Sequence, residues 1–481
     1  MDKLKDKCAV FGIYDPLINS LDVARISYYA LYGLQHRGQE SSGIAVSNGK
    51  RFKIRRGMGL VRDVFKNDKD ITGLGNGILA VGHNRYSTSG SSLICNAQPF
   101  LLKKEGRQIL IAHNGNIVNT KELKAKVKKI KLNSTSDTEV IGALLLESRE
   151  EYWEKRFDEV LPQVRGAYSL VIATRDLLFG IRDPYGVRPL VLGKLNGGWV
   201  LSSEDCIFSG IGAEFIREID PGEAVIIDKN GPKSFYRQKV KDRAFCIFEY
   251  VYFARPDSNF NNQPVVKVRK RCGEILAKEA PVKADIVMPI PDSGTTAAIA
   301  FAEKSKIPFN EGVIKNRYLG RTFIQPDQRL RELGIKIKFG PLRENLKGKK
   351  VVVIDDSIVR GTTMRGFITL LKNNGAKEVH LRVACPPITS PCFYGIDTPT
   401  KKELIAGRMQ MKQKKQIVDV KKIKDFLGVD SLSYLSIPGL LEAAGITLAK
   451  TKNFDIHQTP YCIACLTGRY KIPVEENFSK C

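Results

Sequence analysis

Residues 351–363 read VVVIDDSIVRGTT, and this stretch decides the fold of the second half of the chain. Four consecutive β-branched residues, 351–354, suit a strand buried on both faces of a parallel sheet. Asp355 and Asp356 follow at the strand's end, where two adjacent carboxylates repel each other unless a ligand is expected there. Ser357, Gly361, Thr362 and Thr363 make a small, hydroxylated loop, and the apolar period over 364–371 predicts a helix after it. The N–H groups of such a loop and the helix N-terminus hold a phosphate. The carboxylates lie where ribose hydroxyls or magnesium would lie, at the strand end where open α/β sheets bind ligands. The pattern spells a sugar-phosphate site.

Working outward, the second half alternates predicted strands (285–289, 351–354, 379–383) with predicted helices (295–304, 364–373), which means a parallel sheet. The first half, to about residue 240, carries short strands such as 109–112, 168–173 and 200–202, separated by Gly and Asn turns. Helical patterns at 22–34 and 137–148 give it α+β character. The boundary is expected in the polar, charged stretch 236–243. No internal repeat or low-complexity tract interrupts either half.

A chain of 481 residues exceeds a single core and implies two or three domains. Hydrophobic content of 43% and charge of 27% are those of an ordinary soluble protein. No apolar run approaches the ~20 residues of a membrane span, so no membrane role is expected. The opening residues MDKLKDK lack the apolar segment of a secretory signal, and the expected location is the cytoplasm. Ten cysteines in that compartment point to thiol chemistry or metal rather than disulfides. Lys and Arg exceed Asp and Glu by 77 − 51 = +26. The lysine runs at 124–131, 347–350 and 412–415 have no interleaved aromatics, so a solvated surface is expected rather than a nucleic-acid partner.

Cys8 opens CAVFGI. Cleavage after Lys7 would make residues 1–7 a propeptide and Cys8 the first residue. Its thiol would then be the nucleophile and its own α-amine, with a pKa near ~8, the base. By itself Cys8 reads equally as a buried cysteine of a first strand.

The motifs together carry a resemblance. All thirteen positions of 351–363 fit the phosphoribosyl pyrophosphate (PRPP) motif of type I phosphoribosyltransferases, in which Arg360 also belongs to the PRPP site. GLQHRGQES (33–41), GHNRYST (82–88), HNGNI (113–117) and STSDTE (134–139) follow Cys8 in order and resemble the glutamine amidotransferase domain of the N-terminal-nucleophile class. That resemblance implies that Arg85 binds the glutamine α-carboxylate and Asp137 its α-amine. It also implies that Asn114 and Gly115 form the oxyanion hole which thioester formation requires. Ala9 departs from the pattern, where many relatives have Gly. PIPDSGTTAA (289–298) looks like a pyrophosphate loop, with Asp292 at PRPP and Ser293 helping Asp355 and Asp356 to hold magnesium. Residues 315–339 resemble a loop that closes over PRPP, with Lys315, Arg317, Arg321 and Arg329 facing phosphates. With CIFEYVYFARPDS (246–258) added, the resemblance to the glutamine PRPP amidotransferases spans nearly the whole chain.

Cys462 and Cys465 form a C-x₂-C pair, which alone is ambiguous between zinc, iron–sulfur and redox use. Cys246 and Cys392 sit in CIFEYVYF and PCFYGID, and some members of the resembled family carry a 4Fe-4S cluster at these four positions. Four-cysteine zinc fits the count equally. Cys95, Cys206, Cys272, Cys385 and Cys481 are left as core or incidental, with Cys385 the one most easily mistaken for a ligand.

The expected fold is therefore an α+β N-terminal-nucleophile glutaminase domain, four-layer αββα, over 8–240. An α/β type I phosphoribosyltransferase domain with a parallel sheet and a C-terminal cluster-binding segment follows over 241–481. The expected small-molecule partners are glutamine and PRPP, with purine nucleotides as inhibitors; the cofactors are Mg2+ and a 4Fe-4S cluster, and the assembly is a homo-oligomer. The rival readings are a different glutamine amidotransferase, which the PRPP motif opposes, and a PRPP-sensing nucleic-acid-binding regulator, which needs no glutamine site.

Overall fold

The computed structural model describes residues 8–17, 20–86, 92–238, 242–316, 334–398, 400–411, 414–446, 455 and 459–474. Two antiparallel sheets build the first half. One runs, in spatial order, Glu214–Glu218, Val191–Leu195, Gly198–Ser202, Ala9–Tyr14, Leu79–Arg85, Ser41–Ser47 and Phe52–Met58. The other runs Gly231–Arg237, Glu223–Asp228, Leu178–Arg182, Gly166–Ala173, Arg107–Ile117 and Phe100–Lys104.

The period of two along the first strand explains the layering. Ala9, Phe11 and Ile13 pack toward the helix Val23–Gly33, while Val10 and Tyr14 join the core between the sheets. In Arg107–Ile117 the same alternation sends Leu110 and Ala112 between the sheets, and Ile109 and Ile111 toward the helix Asp137–Glu147. Helix, sheet, sheet, helix is the four-layer order expected. Asp22 and Ser136 stand outside their helices as N-caps, their side chains accepting from the N–H groups of Arg25 and Thr138.

In the second half four parallel strands lie in sequence order: Ile286–Pro289, Lys350–Asp355, Glu378–Val383 and Ser431–Tyr434. The fourth, SLSY, is too short and polar to stand out in the sequence. Val351 and Val353 face one core and Val352 and Ile354 the other, all four fully buried. Each such side chain contributes about 1.5–3 kcal/mol. The helices Thr295–Ser305 and Thr362–Asn373 follow the first two strands, so both loops of interest open at the same edge.

The two halves share a core. Val118, Ala167 and Val187 of the first pack in one cluster with residues of 244–301. The strand Phe245–Cys246 pairs in parallel with Tyr461–Cys462, which binds the interdomain segment to the far end of the chain.

Candidate functional site

Cys8 sits just before the central strand of the first sheet, 6% exposed, with its Sγ 3.5 Å from the carbonyl of Tyr86. Burial pushes its thiol up to about 11, against the opposing pull of the Tyr86 backbone and of the Arg85 charge. Arg85, Glu40 and Asp137 are the ionisable neighbours that act on it, and none of them is a base suited to a neutral thiol. Arg85 is 3% exposed and ion-paired with Glu40. Asp137 begins its helix, accepts from the Ile117 N–H at 2.9 Å and lies 3.5 Å from His113 Nδ1. Burial opposes its ionisation, yet His113 and the backbone donors hold its carboxyl below the ordinary range.

Asn114 is fully buried. Its Nδ2 donates to Ser203 Oγ at 3.4 Å, and that same oxygen accepts from the Val10 N–H at 3.0 Å. The amide is thereby set opposite the start of the Cys8 strand. Its Oδ1 has no hydrogen-bond partner among the described residues. Gly115 next to it admits no side chain: a Cβ would stand 1.9 Å from the Ala167 carbonyl oxygen. Cys8, Arg85, Asn114, Gly115 and Asp137 are thus buried in one neighbourhood.

A buried ionic network next to Cys8 escaped the sequence reading. Arg37 donates through Nε to the Cys8 carbonyl at 3.3 Å and pairs with Glu249 at 3.1 Å and with Glu204. Burial alone would lower the Arg37 pKa, but the two carboxylates outweigh it and raise it. His36 and Arg188 extend the network, 2.8 Å from Glu204 and 3.8 Å from Glu249. The available signal was charge inside GLQHRGQES and CIFEYVYF, which also holds for Glu40.

In the second half Asp355 and Asp356 are 2% and 3% exposed at the strand end. Asp356 accepts from Ser357 Oγ at 2.6 Å and from Ser293 Oγ, so the two loops meet at this carboxylate. Asp355 accepts from the Asp356 N–H at 2.9 Å. Lys315 pairs with Asp292. Gly361, at φ +80°, caps the following helix, and Thr362 and Thr363 start it. Arg360 lies 3.3 Å from Glu403, whose carboxyl the nearby N–H of Thr400 and the Arg360 charge lower against the effect of burial. Arg317, Arg321 and Arg329 lie outside the described residues, as do 1–7, Ser87, Thr88 and Cys481. Arg269 joins this loop to the interdomain turn: its guanidinium donates to the carbonyls of Tyr250 and Ala254 at 2.7 and 2.9 Å, and Asp356 acts on its charge.

Cys246 and Cys462 are register partners, and Cys465 follows within the helix Ala464–Thr467. Burial raises the thiols of Cys392, Cys462 and Cys465, with Cys462 pushed up to about 12. A thiolate at Cys246 raises all three further, and Cys392, Cys462 and Cys465 act on one another in the same sense. None of the four is in a disulfide. They are one cluster of cysteine thiols. Among the described residues, no group of three or more His, Cys, Asp or Glu side chains is placed to hold a metal ion. Cys385, also free, is raised by burial, with the Cys272 and Asp356 charges acting in the same sense, and its own charge acts on Cys465.

Two family models match the chain: a glutamine amidotransferase domain over residues 83–209 and a phosphoribosyl transferase domain over 260–420. The amidophosphoribosyltransferase of Synechococcus elongatus is 46% identical over 487 residues, spanning 100% of this chain and 94% of that one. The chain belongs to the amidophosphoribosyltransferase family. Among solved structures, glutamine PRPP amidotransferase from B. subtilis complexed with ADP and GMP agrees with TM-score 0.87 at 40% identity, covering 98% of each chain. A structure described as the allosteric regulatory enzyme of purine biosynthesis agrees with TM-score 0.88 at 40% identity, over 98% of this chain and 97% of that one. In this amidophosphoribosyltransferase chain the first domain match contains Arg85, Asn114, Gly115 and Asp137. The second contains Asp292, Ser293, Asp355 and Asp356.

Proposed function

We propose that this protein is a glutamine-dependent amidophosphoribosyltransferase that makes 5-phosphoribosylamine, glutamate and pyrophosphate from PRPP, glutamine and water. This is the first committed step of purine biosynthesis. The observation that carries the reading is the pairing, in one chain, of a buried thiol beside Arg85 and Asp137 with a loop that carries two buried carboxylates.

The Cys8 thiol attacks the glutamine carboxamide carbon, with Arg85 and Asp137 holding the α-carboxylate and α-amine. A thiol raised to about 11 needs a base, and the α-amine of Cys8, freed by removal of residues 1–7, has the right pKa. The amine takes the thiol proton and gives it to the departing ammonia. Asn114 Nδ2 and the Gly115 N–H hold the oxyanion. Water then hydrolyses the thioester and releases glutamate.

Ammonia passes inside the protein to the second site and attacks C1 of PRPP as the C1–pyrophosphate bond breaks. The ribose hydroxyls lie against Asp355 and Asp356, and the 5-phosphate lies over Ser357, Arg360, Gly361, Thr362 and Thr363. Asp292, Lys315, Arg317 and Arg321 surround the pyrophosphate. Ser293, Asp355 and Asp356 would hold Mg2+, whose charge would offset that of the pyrophosphate. Cys246, Cys392, Cys462 and Cys465 would hold a 4Fe-4S cluster that binds three distant segments together.

The finer parts of the proposal are a homo-oligomer, a cytoplasmic location and inhibition by purine nucleotides; the B. subtilis relative was complexed with ADP and GMP. No helix among the described residues is long and apolar enough to cross a membrane. The deciding experiment follows PRPP consumption with glutamine and with ammonia. PRPP-dependent amine formation from both sources supports the function, and glutamine hydrolysis without any transfer to PRPP would remove it.

A further inference from the structure

The strand that carries Asn114 and Gly115 belongs to the first half, but a loop of the second half lies against it. Asn116 Nδ2 donates to the Phe393 carbonyl at 2.9 Å. The Arg188 guanidinium donates to the Tyr394 carbonyl. Gly395, at φ +97°, lies so close to Gly115 that a Cβ on it would stand 2.7 Å from the Gly115 carbonyl carbon and 2.9 Å from its oxygen. On another side Gly115 has no slack either, because the Ala167 carbonyl lies against its α-carbon.

The loop is itself anchored in the second half. Tyr394 is 1% exposed, and its hydroxyl donates to the Ile472 carbonyl at 2.7 Å and accepts from the Ile472 N–H at 2.9 Å. Its backbone N–H donates to Cys392 Sγ at 3.3 Å. Gly115 is therefore clamped between its own sheet neighbour and a rigid strut from the other domain.

We infer that Gly395 and the Phe393–Tyr394 carbonyls position the oxyanion hole, so that the phosphoribosyl half sets the geometry of the glutamine half-reaction. This rests on the reading of Asn114 and Gly115 as oxyanion donors. Oxyanion donors act only when held within a few tenths of an ångström of the developing charge. A displaced Gly115 loses transition-state stabilisation and leaves the contacts of Arg85 and Asp137 to ground-state glutamine intact. The strut residues are positioning residues: none of them touches substrate.

The test uses the full chain with Gly395→Ala, Asn116→Ala and, as control, Asn114→Ala. Glutamine kcat and KM, ammonia-dependent consumption of PRPP and the thermal midpoint are measured for each. Gly395→Ala should lower glutamine kcat on the order of 10²-fold, as loss of an oxyanion donor does. Its glutamine KM should change less than about threefold, and its ammonia-dependent activity less than about twofold. Asn116→Ala should show the same pattern at about tenfold, and it decides the matter if Gly395→Ala does not fold. A normal kcat in both strut variants, with Asn114→Ala impaired, overturns the inference. So does an equal loss of both activities in parallel with the thermal midpoint, which marks a purely structural contact. A normal kcat in Asn114→Ala instead removes the oxyanion reading beneath it.

Discussion

The two candidate sites are built on opposite plans. Around Cys8 every group is walled in: Asn114 is fully buried, Arg85 and Asp137 are 3% and 5% exposed, and each charge has a partner in place. At the phosphoribosyl loop the carboxylates are buried but the flanking groups are open, with the Asp292 side chain 76% exposed and Thr362 on the surface. The difference follows the chemistry. A thioester and its oxyanion need fixed donors and no stray water. A pyrophosphate and its counter-ion need a charged entrance that can reorganise as they arrive. The first set of groups is enclosed and the second partly open, and substitutions in the two should separate cleanly.

The largest separation is expected at the nucleophile. Cys8→Ala should abolish glutamine use, by about 10⁴-fold or more, because the covalent route is gone. Ammonia-dependent turnover of PRPP should stay within about twofold, since the second site is fed from solution. Assaying both nitrogen donors in one preparation checks this. Loss of both activities in a folded variant would mean that the halves are not separable.

The mirror experiment is Asp355→Asn or Asp356→Asn. PRPP-dependent turnover should fall about 10²- to 10³-fold, as for other groups that meet developing charge. Basal glutamine hydrolysis should stay nearly unchanged, because neither carboxylate reaches the thiol pocket. Equal losses in the two assays would contradict the division of labour.

This division was legible in the sequence wherever the chemistry is local. The strand, the acidic pair and the hydroxylated loop of 351–363 lie within thirteen residues, and their periods and donor types speak for themselves. Helix ends were read to within a residue or two: 22–34 takes in the cap Asp22, and 137–148 starts at the observed Asp137 but takes in Ser148, one residue past Glu147. What stayed hidden depends on distant pairing. Arg37 and Glu249 are 212 residues apart, and nothing in either segment names the other. Gly395 looked like part of a cysteine motif, and only the fold puts it on Gly115. The strand Ser431–Tyr434 was missed because a short edge strand with two serines has no apolar run.

The thiol cluster joins both plans, since Cys392 lies just before the strut on the oxyanion strand. Cys462→Ser should remove a ligand of the proposed cluster and lower the iron content from about four per chain toward zero. The variant should also unfold more easily, because a centre that is absent from the unfolded chain contributes to folding directly. Iron analysis and thermal unfolding of anaerobically prepared protein check both. Undiminished stability, or zinc in place of iron, would defeat the cluster assignment.

The smallest effect sharpens the contrast in burial. His83 is fully buried beside Arg85 and His113, and burial together with those charges lowers its pKa to about 3, against the opposing contact with the His113 carbonyl. Its Nε2 lies 3.0 Å from that carbonyl, and its Nδ1 has no partner among the described residues. In the second half His380 is also lowered by burial, but Glu378 at 3.1 Å works against the shift. For His83 the folded state refuses a proton that the unfolded chain accepts near pH 6.5. Its contribution is therefore complete above pH 6.5 and is lost as pH falls toward 3. Between pH 7 and pH 5 the loss amounts to about 2 kcal/mol. Urea unfolding at those two pH values should show this slope in the native protein, and a slope smaller by about that amount in His83→Gln. An identical pH dependence in the variant would show that the buried histidine is not the acid-sensitive element of the glutamine half.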